Sequence, residues 1–119
     1  MNKISKIFIS ENASLYNAIL QLNKTGTRCL FVIGKSKIFK GTLTDGDIRR
    51  YIVKDKNFNV KVSKIYNKKP FFVFKDKISN NLKLEIFLKK NKSLIVPVVN
   101  NKKIPISYLP VLKSEVSKK

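Results

Sequence analysis

The ten residues from 41 to 50 concentrate the residue types that could bind a ligand, and they read Gly-Thr-Leu-Thr-Asp-Gly-Asp-Ile-Arg-Arg. The whole chain has only 7 acidic residues, yet Asp45 and Asp47 lie two positions apart in this segment. The segment ends with two of the three arginines in the chain, Arg49 and Arg50. A carboxylate accepts hydrogen bonds from hydroxyl groups, and a threonine hydroxyl suits an anion. The segment is therefore the first candidate for a ligand site.

The surrounding residues predict a strand that leads directly into a helix. Residues 38–44 are rich in β-branched and aromatic side chains, which is typical of a strand. Ile48, Tyr51 and Ile52 then recur at helical spacing. The candidate residues are thus expected at a strand-to-helix junction.

Thr44 and Asp47 have the spacing of a capping box, with Thr44 as the N-cap and Asp47 as the third helical residue. A helix start exposes unpaired N–H groups and the positive end of the helix dipole, which favour a phosphate. Two alternatives stay open. The same pattern caps many helices that bind nothing, and Asp45-Gly46 could form a two-residue hairpin turn, although the helical spacing after it argues against a hairpin.

The pattern Gly-x-x-Thr-x-x-Asp between a strand and a helix resembles the signature of CBS domains, which occur in pairs called Bateman modules. The full segment is most similar to the regulatory CBS pair of bacterial sugar-phosphate nucleotidyltransferases, and it also resembles the pair in arabinose-phosphate isomerases. The resemblance implies an adenine nucleotide (AMP, ADP or ATP) as regulatory ligand, with Thr44 near its phosphate and Asp47 on the ribose hydroxyls. It also implies control of an attached or partner enzyme, with a nucleotidyltransferase as the expected one.

The resemblance adds further candidate residues. Arg28 immediately precedes the strand that lies beside the motif strand in a CBS fold, where a basic residue reaches the phosphates. At most one of Arg49 and Arg50 is expected to face the ligand, and Ser10 is expected at the rim. The complete predicted set of binding residues is Thr44, Asp47, Arg28, Thr42, Ser10 and Arg50, with no catalytic residue and no metal ligand.

A paired family predicts an internal repeat, and the chain contains one. The residues Ile-Ser-Lys-Ile at 4–7 recur as Val-Ser-Lys-Ile at 62–65, and residues 8–11 correspond to residues 73–76. In each half an apolar strand follows a helical stretch. The order strand, helix, strand, strand, helix is therefore predicted twice.

These patterns predict an α/β (α+β) fold of two β-α-β-β-α CBS motifs packed about a pseudo-twofold axis. The first motif is expected in residues 1–57, the second and degenerate motif in residues 58–113, and a tail or linker in residues 114–119. Ser79 is expected to precede the second motif's first helix as Ser14 precedes that of the first.

The second motif differs from the first where ligand chemistry would matter. Ser107 is predicted to take the place of Thr44, and Pro110 the place of Asp47. Proline offers no carboxylate, although the first turn of a helix tolerates it. We therefore expect one specific nucleotide per chain, bound by the first motif.

Composition limits the possible functions. The chain has no histidine, a single cysteine (Cys29), and no pair of acidic residues outside the motif that would suggest hydrolase chemistry. We therefore expect a protein that is not an enzyme. Cys29 is expected to be a small core residue, no apolar run approaches the roughly 20 residues of a membrane span, and a cytoplasmic location is expected.

The net charge of +19 favours one alternative function, a basic nucleic-acid-binding protein. Because 23 of the 26 basic residues are lysines spread along the whole sequence, a solvated surface is the preferred interpretation and nucleic acid an unlikely partner. A CBS pair used only for oligomerisation is the other alternative. A homodimer is expected because Leu82 and Ile86 lie on the opposite helix face from Leu84 and Leu88.

Overall fold

The computed structural model describes residues 4–79, 81–90 and 95–109. The chain divides into two compact units between Pro70 and Phe71, here called unit 1 and unit 2. The predicted tail at 114–119, the helix expected after the last strand, and Pro110 lie outside the described residues. The boundary predicted after residue 57 and the pseudo-twofold axis stay predictions.

Unit 1 contains a three-stranded sheet in the order β1-β2-β3 and two α-helices. β1 is parallel to β2, and β2 is antiparallel to β3. Short 3-10 helices lie at Ile4–Ile7, Lys35–Lys37 and Val62–Lys64. The strands and α-helices are β1 (Phe8–Ser10), α1 (Leu15–Thr25), β2 (Cys29–Ile33), β3 (Phe39–Thr44) and α2 (Asp45–Lys54).

Unit 2 repeats this arrangement as far as the structure describes it. Its sheet has the order β4-β5-β6, again with one parallel and one antiparallel pair. A 3-10 helix at Lys75–Lys77 follows its first strand. The remaining elements are β4 (Val73–Phe74), α3 (Leu82–Lys90), β5 (Val96–Val99) and β6 (Pro105–Leu109). Within the described ranges, two small sheets and three α-helices confirm the predicted mixed α and β class.

The helix α1 begins and ends with local signals. The Ser14 side chain accepts a hydrogen bond from the Asn17 N–H at 3.1 Å, which satisfies a free donor of the first turn. Gly26 ends the helix in the left-handed region at φ 71°, which a residue without Cβ adopts at little cost. Leu15 and Ala18 are fully buried, as their spacing predicts.

The core of unit 1 is centred on β2. Its residues Cys29, Leu30, Phe31 and Val32 are all at most 2% exposed, so both faces of the strand are covered. Phe31 meets Phe39 edge to face at 6.0 Å between ring centroids. The strand β3, which leads into α2, therefore pairs with a buried central strand.

Residues 58–70, the last segment of unit 1, pack against the rest of that unit through backbone hydrogen bonds. The carbonyl of Val60 accepts from Leu15 N–H at 2.8 Å, and Val62 N–H donates to the Ala13 carbonyl at 2.8 Å. Asn67 exchanges two backbone hydrogen bonds with Thr42 on β3, the outer strand of the sheet. The segment therefore covers an edge that would otherwise present unpaired donors and acceptors.

Unit 2 has a smaller core of its own. Val73, Leu84, Val96 and Val98 are buried together, and Phe71 stacks on Phe87 at 4.7 Å. Ser79 precedes α3 as predicted, and the side chain of Asn81 provides the cap by accepting from Leu84 N–H at 2.9 Å. The predicted outward face of α3 is confirmed, since Leu82 and Ile86 are both exposed.

Candidate functional site

The strand-to-helix junction lies where the sequence predicts it, because β3 ends at Thr44 and α2 begins at Asp45. The Thr44 hydroxyl accepts from Asp47 N–H at 3.0 Å, and Thr44 N–H donates to Asp47 Oδ2 at 3.0 Å. The capping box is thus complete. The hairpin-turn alternative is wrong, since Asp45 and Gly46 form the first turn of the helix.

The second carboxylate oxygen of Asp47 is engaged by an arginine. Arg50 Nη2 lies 2.7 Å from Asp47 Oδ1, one helical turn away. The Arg50 side chain is 73% exposed, whereas that of Asp47 is only 17% exposed. The carboxylate is therefore held in a fixed position by the backbone, and its outer oxygen is paired with a solvated cation.

Both neighbouring arginines reach over Gly46. A Cβ added at Gly46 would lie 3.4 Å from Arg50 Nη1, 3.7 Å from Arg49 Nη2 and 3.7 Å from Thr44 Oγ1. Both guanidinium groups therefore bend back toward the helix start, and the expectation that at most one of them faces the ligand stays a prediction. Helical spacing alone does not predict this approach of Arg49, whereas the glycine at the second helical position, which leaves room for two guanidinium groups, is the signal that indicates it.

Arg28 also lies at this helix start. Its carbonyl accepts from Asp45 N–H at 3.1 Å, and the next residue, Cys29, pairs with Thr44 across the β2–β3 ladder. Its φ of 63° places it in the left-handed region, where the chain turns into β2. The backbone of Arg28 therefore lies at the start of α2, beside the helix turn that carries Arg49 and Arg50.

Cys29 lies beneath the junction as a buried thiol. Burial, followed by the nearby carboxylates of Asp47 and Asp45, raises the pKa of the Cys29 thiol to about 12. The group stays neutral at ordinary pH and is only 2% exposed, so it acts as a small apolar core residue.

Thr42 and Gly41 lie where the motif strand β3 contacts residues 66–67. Thr42 is 6% exposed, and its backbone is paired with Asn67. A Cβ at Gly41 would contact the Asn67 carbonyl oxygen and lie 2.7 Å from the Tyr66 ring. The glycine of the motif is therefore required by the close approach of residues 66–67, and Thr42 is a buried neighbour of Thr44.

Within unit 1, Ser10 lies away from the start of α2, where Thr44 and Asp47 lie. It pairs with Ile33 at one end of β2, whereas Thr44 pairs with Cys29 at the other. Four residues of strand separate the two ends, about 13 Å at a rise of about 3.3 Å per residue. The Ser10 hydroxyl accepts from Asn12 N–H at 3.1 Å.

The register of the second hairpin corrects the predicted correspondence of Ser107. Val98 pairs with Ser107 as Val32 pairs with Gly41, and a register irregularity follows each pair, so the offset is 107 − 41 = 66. Ser107 therefore corresponds to Gly41, and Thr44 corresponds by count to 44 + 66 = 110, which is proline. By the same count Asp47 corresponds to 47 + 66 = 113, which is lysine. The sequence of the second motif thus lacks both the hydroxyl and the carboxylate.

The described residues contain no group of three histidine, cysteine, aspartate or glutamate side chains that could hold a metal ion. No helix within the described ranges is both long and apolar enough to cross a membrane.

Residues 1–54 match the family model of the CBS domain. No curated protein sequence is significantly similar to the chain. Solved structures are similar in fold. The CBS domain pair of protein MJ0100, in complex with 5′-methylthioadenosine and S-adenosyl-L-methionine, has a TM-score of 0.72 at 20% identity, covering 94% of this chain and 85% of that one.

Two further structures share the fold. The cytosolic domain of the Mg²⁺ channel MgtE, in complex with ATP, has a TM-score of 0.70 at 17% identity and covers 94% of this chain and 44% of that one. Staphylococcus aureus OpuCA has a TM-score of 0.65 at 18% identity, with 94% and 89% covered. The family match and the shared fold together support a tandem CBS module, and the chain has the fold of CBS domain pairs.

Proposed function

We propose that this chain is a regulatory module that binds one adenine nucleotide (AMP, ADP or ATP) at the start of α2. The observation that carries the proposal is the convergence of the Thr44 hydroxyl, the Asp47 carboxylate and two guanidinium groups around Gly46. In this assignment Asp47 accepts hydrogen bonds from the ribose hydroxyls. Thr44 and the arginines bind the phosphates, with support from the helix dipole.

The comparisons favour an adenine-containing ligand. MJ0100 was solved with two adenosine derivatives and MgtE with ATP, and both share the fold of this chain. The match to the CBS domain model covers the residues that carry the motif. We propose that Arg28 completes the phosphate-binding group, and the assignments of Ser10 and Thr42 as binding residues stay predictions.

The regulated enzyme is proposed from the resemblance of residues 41–50 alone. That segment resembles the CBS pairs of sugar-phosphate nucleotidyltransferases, so we propose an attached or partner nucleotidyltransferase. The module itself is proposed to be non-catalytic and cytoplasmic. A CBS pair used only for oligomerisation is the alternative that an absence of nucleotide binding would favour.

Homodimer formation through the first helix of each unit is part of the proposal. Tyr16 and Leu20 on α1 are 54% and 48% exposed, and Leu82 and Ile86 on α3 are 67% and 48% exposed. The two pairs are equivalent, because 82 − 16 and 86 − 20 both equal 66, the offset of the strands. A second copy of the chain would bury the apolar surface that these four exposed side chains form. Sedimentation equilibrium showing only monomer at high concentration, with and without ATP, would refute the dimer.

A thermal-shift screen tests the ligand. AMP, ADP and ATP are each added at low and at high salt, with inorganic tripolyphosphate as a control for charge alone. A specific site predicts that at least one nucleotide raises Tm at both salt concentrations, whereas tripolyphosphate acts mainly at low salt. The proposal fails if no nucleotide changes Tm, or if tripolyphosphate matches ATP at both salt concentrations.

A further inference from the structure

We infer that Arg50 is a specificity-determining residue that releases Asp47 when ribose binds and then pairs with phosphate, so that the site selects phosphorylated nucleotides over the nucleoside. The inference rests on the proposed function, because it assumes that Asp47 receives the ribose.

The two carboxylate oxygens of Asp47 have different partners. Oδ2 accepts from Thr44 N–H and completes the capping box, so using it for a ligand would weaken the helix start. Oδ1 is the oxygen left for ribose, and Arg50 Nη2 lies 2.7 Å from it. Only 17% of the Asp47 side chain is exposed, so little of its carboxylate is open to a sugar while Oδ1 stays paired with Arg50. Ribose hydroxyls and Arg50 therefore compete for the same oxygen.

The ion pair is weak enough to exchange. Arg50 is 73% exposed and pairs with Asp47 at the helix surface, and such pairs contribute at most about fivefold to an equilibrium. A guanidinium–phosphate contact in a less solvated site is stronger. Arg50 can thus give up Asp47 without a large loss, provided that another anion is available.

The position for a second anion lies over Gly46. The other terminal nitrogen of Arg50, Nη1, points over Gly46, where Arg49 Nη2 and Thr44 Oγ1 also converge. A phosphate over Gly46 would meet the released Arg50 after a small side-chain movement. With a nucleoside, Arg50 loses Asp47 and gains no replacement. The same residue therefore opposes adenosine and favours AMP or ATP.

Calorimetric titrations of adenosine, AMP and ATP into the parent protein, Arg50→Gln and Arg49→Gln test this exchange. For Arg50→Gln we expect adenosine to bind up to roughly fivefold more tightly, because Asp47 is no longer paired. ATP should bind about 10- to 100-fold more weakly, because a charge-assisted contact is lost. Arg49→Gln is the matched control. It removes the same charge over Gly46 but leaves the Asp47–Arg50 pair, so it should weaken ATP without improving adenosine.

The possible results separate the two proposals. If Arg50→Gln weakens adenosine and ATP by the same factor, or changes neither, Arg50 has no role in selection and the inference fails while nucleotide binding stands. The inference also fails if Arg49→Gln improves adenosine binding as much as Arg50→Gln does. If the parent protein binds none of the three ligands, the proposed function fails and takes the inference with it. Circular dichroism melting curves verify that both variants are folded.

Discussion

At the scale of single residues, Asp47 serves the fold and the proposed ligand with one carboxylate. Its inner oxygen completes the capping box with Thr44, and its outer oxygen is paired with Arg50. Gly41 serves the fold alone, by admitting the backbone of Asn67 close to β3. A variant at either position therefore changes stability, and binding experiments need controls that separate the two effects.

Gly41→Ala should destabilise unit 1 by about 1–3 kcal/mol, because the new methyl group forces residues 66–67 away from β3. The Thr42–Asn67 hydrogen bonds would be strained at the same time. Urea denaturation measures the change. Gly34→Ala is the control, since its Cβ would meet only flexible Lys40 methylenes at 3.4 Å. Equal losses in the two variants would contradict the packing role of Gly41.

The buried thiol of Cys29 should make stability fall at alkaline pH. Its pKa is raised to about 12 in the folded state, so below the ordinary thiol pKa of about 8.5 both states are neutral and nothing is lost. Between these two values the unfolded chain releases a proton that the folded chain keeps. Stability then falls with pH by at most about 1.4 kcal/mol per unit.

Urea denaturation of the parent protein and Cys29→Ala between pH 8 and pH 10 checks this slope. Burial and the Glu11 carboxylate also raise the pKa of Tyr66, which adds a slope of the same sign to both proteins. The variant should therefore lose less stability per pH unit than the parent does. Parallel slopes would show that Cys29 is not held neutral by the fold.

At the scale of elements, the sequence predicts features that short-range interactions determine. Thr44, Asp47 and the apolar residues after them determine the β3–α2 junction within one helical turn, and the structure confirms it. Ser107 was misplaced because chemical similarity to Thr44 guided its alignment, whereas the hairpin register determines its position. The inward bend of Arg49 was missed because it depends on the space over Gly46, which helical spacing does not show.

The two faces of α3 provide a prediction for an element. Leu84 is 5% exposed and packs with Val73, Val96 and Val98, whereas Leu82 is 67% exposed. Leu84→Ala should cost about 2–5 kcal/mol, because it leaves a cavity in the core of unit 2. Leu82→Ala removes the same atoms from the surface and should change the stability of the monomer by about 0.5 kcal/mol or less. Chemical denaturation of both variants at low protein concentration makes the comparison, and similar costs would contradict the orientation of α3.

At the scale of the whole molecule, two units with the same sheet topology carry unequal chemistry. Unit 1 brings Thr44, Asp47 and the guanidinium groups of Arg49 and Arg50 to one helix start, beside the backbone of Arg28. At the corresponding places of the second motif the sequence has Pro110 and Lys113. The net charge of +19 attracts any polyanion to the whole surface, so attraction alone does not identify a site. The number of nucleotides bound per chain and the dependence of binding on the Asp47 carboxylate identify the site.

Calorimetric titration of ATP and AMP into the parent protein, Asp47→Ala and Asp45→Ala tests the central claim most directly. The two variants remove the same charge from the same helical turn, but only Asp47 is assigned to the ribose. We predict one nucleotide per chain, binding weakened about 10- to 100-fold by Asp47→Ala, and an effect of only a few fold for Asp45→Ala. If Asp47→Ala does not fold, Asp47→Asn is used in its place, because it keeps an acceptor for Thr44 N–H. Two equivalent sites per chain, unchanged binding by the Asp47 variant, or equal losses in the two variants would contradict the assignment.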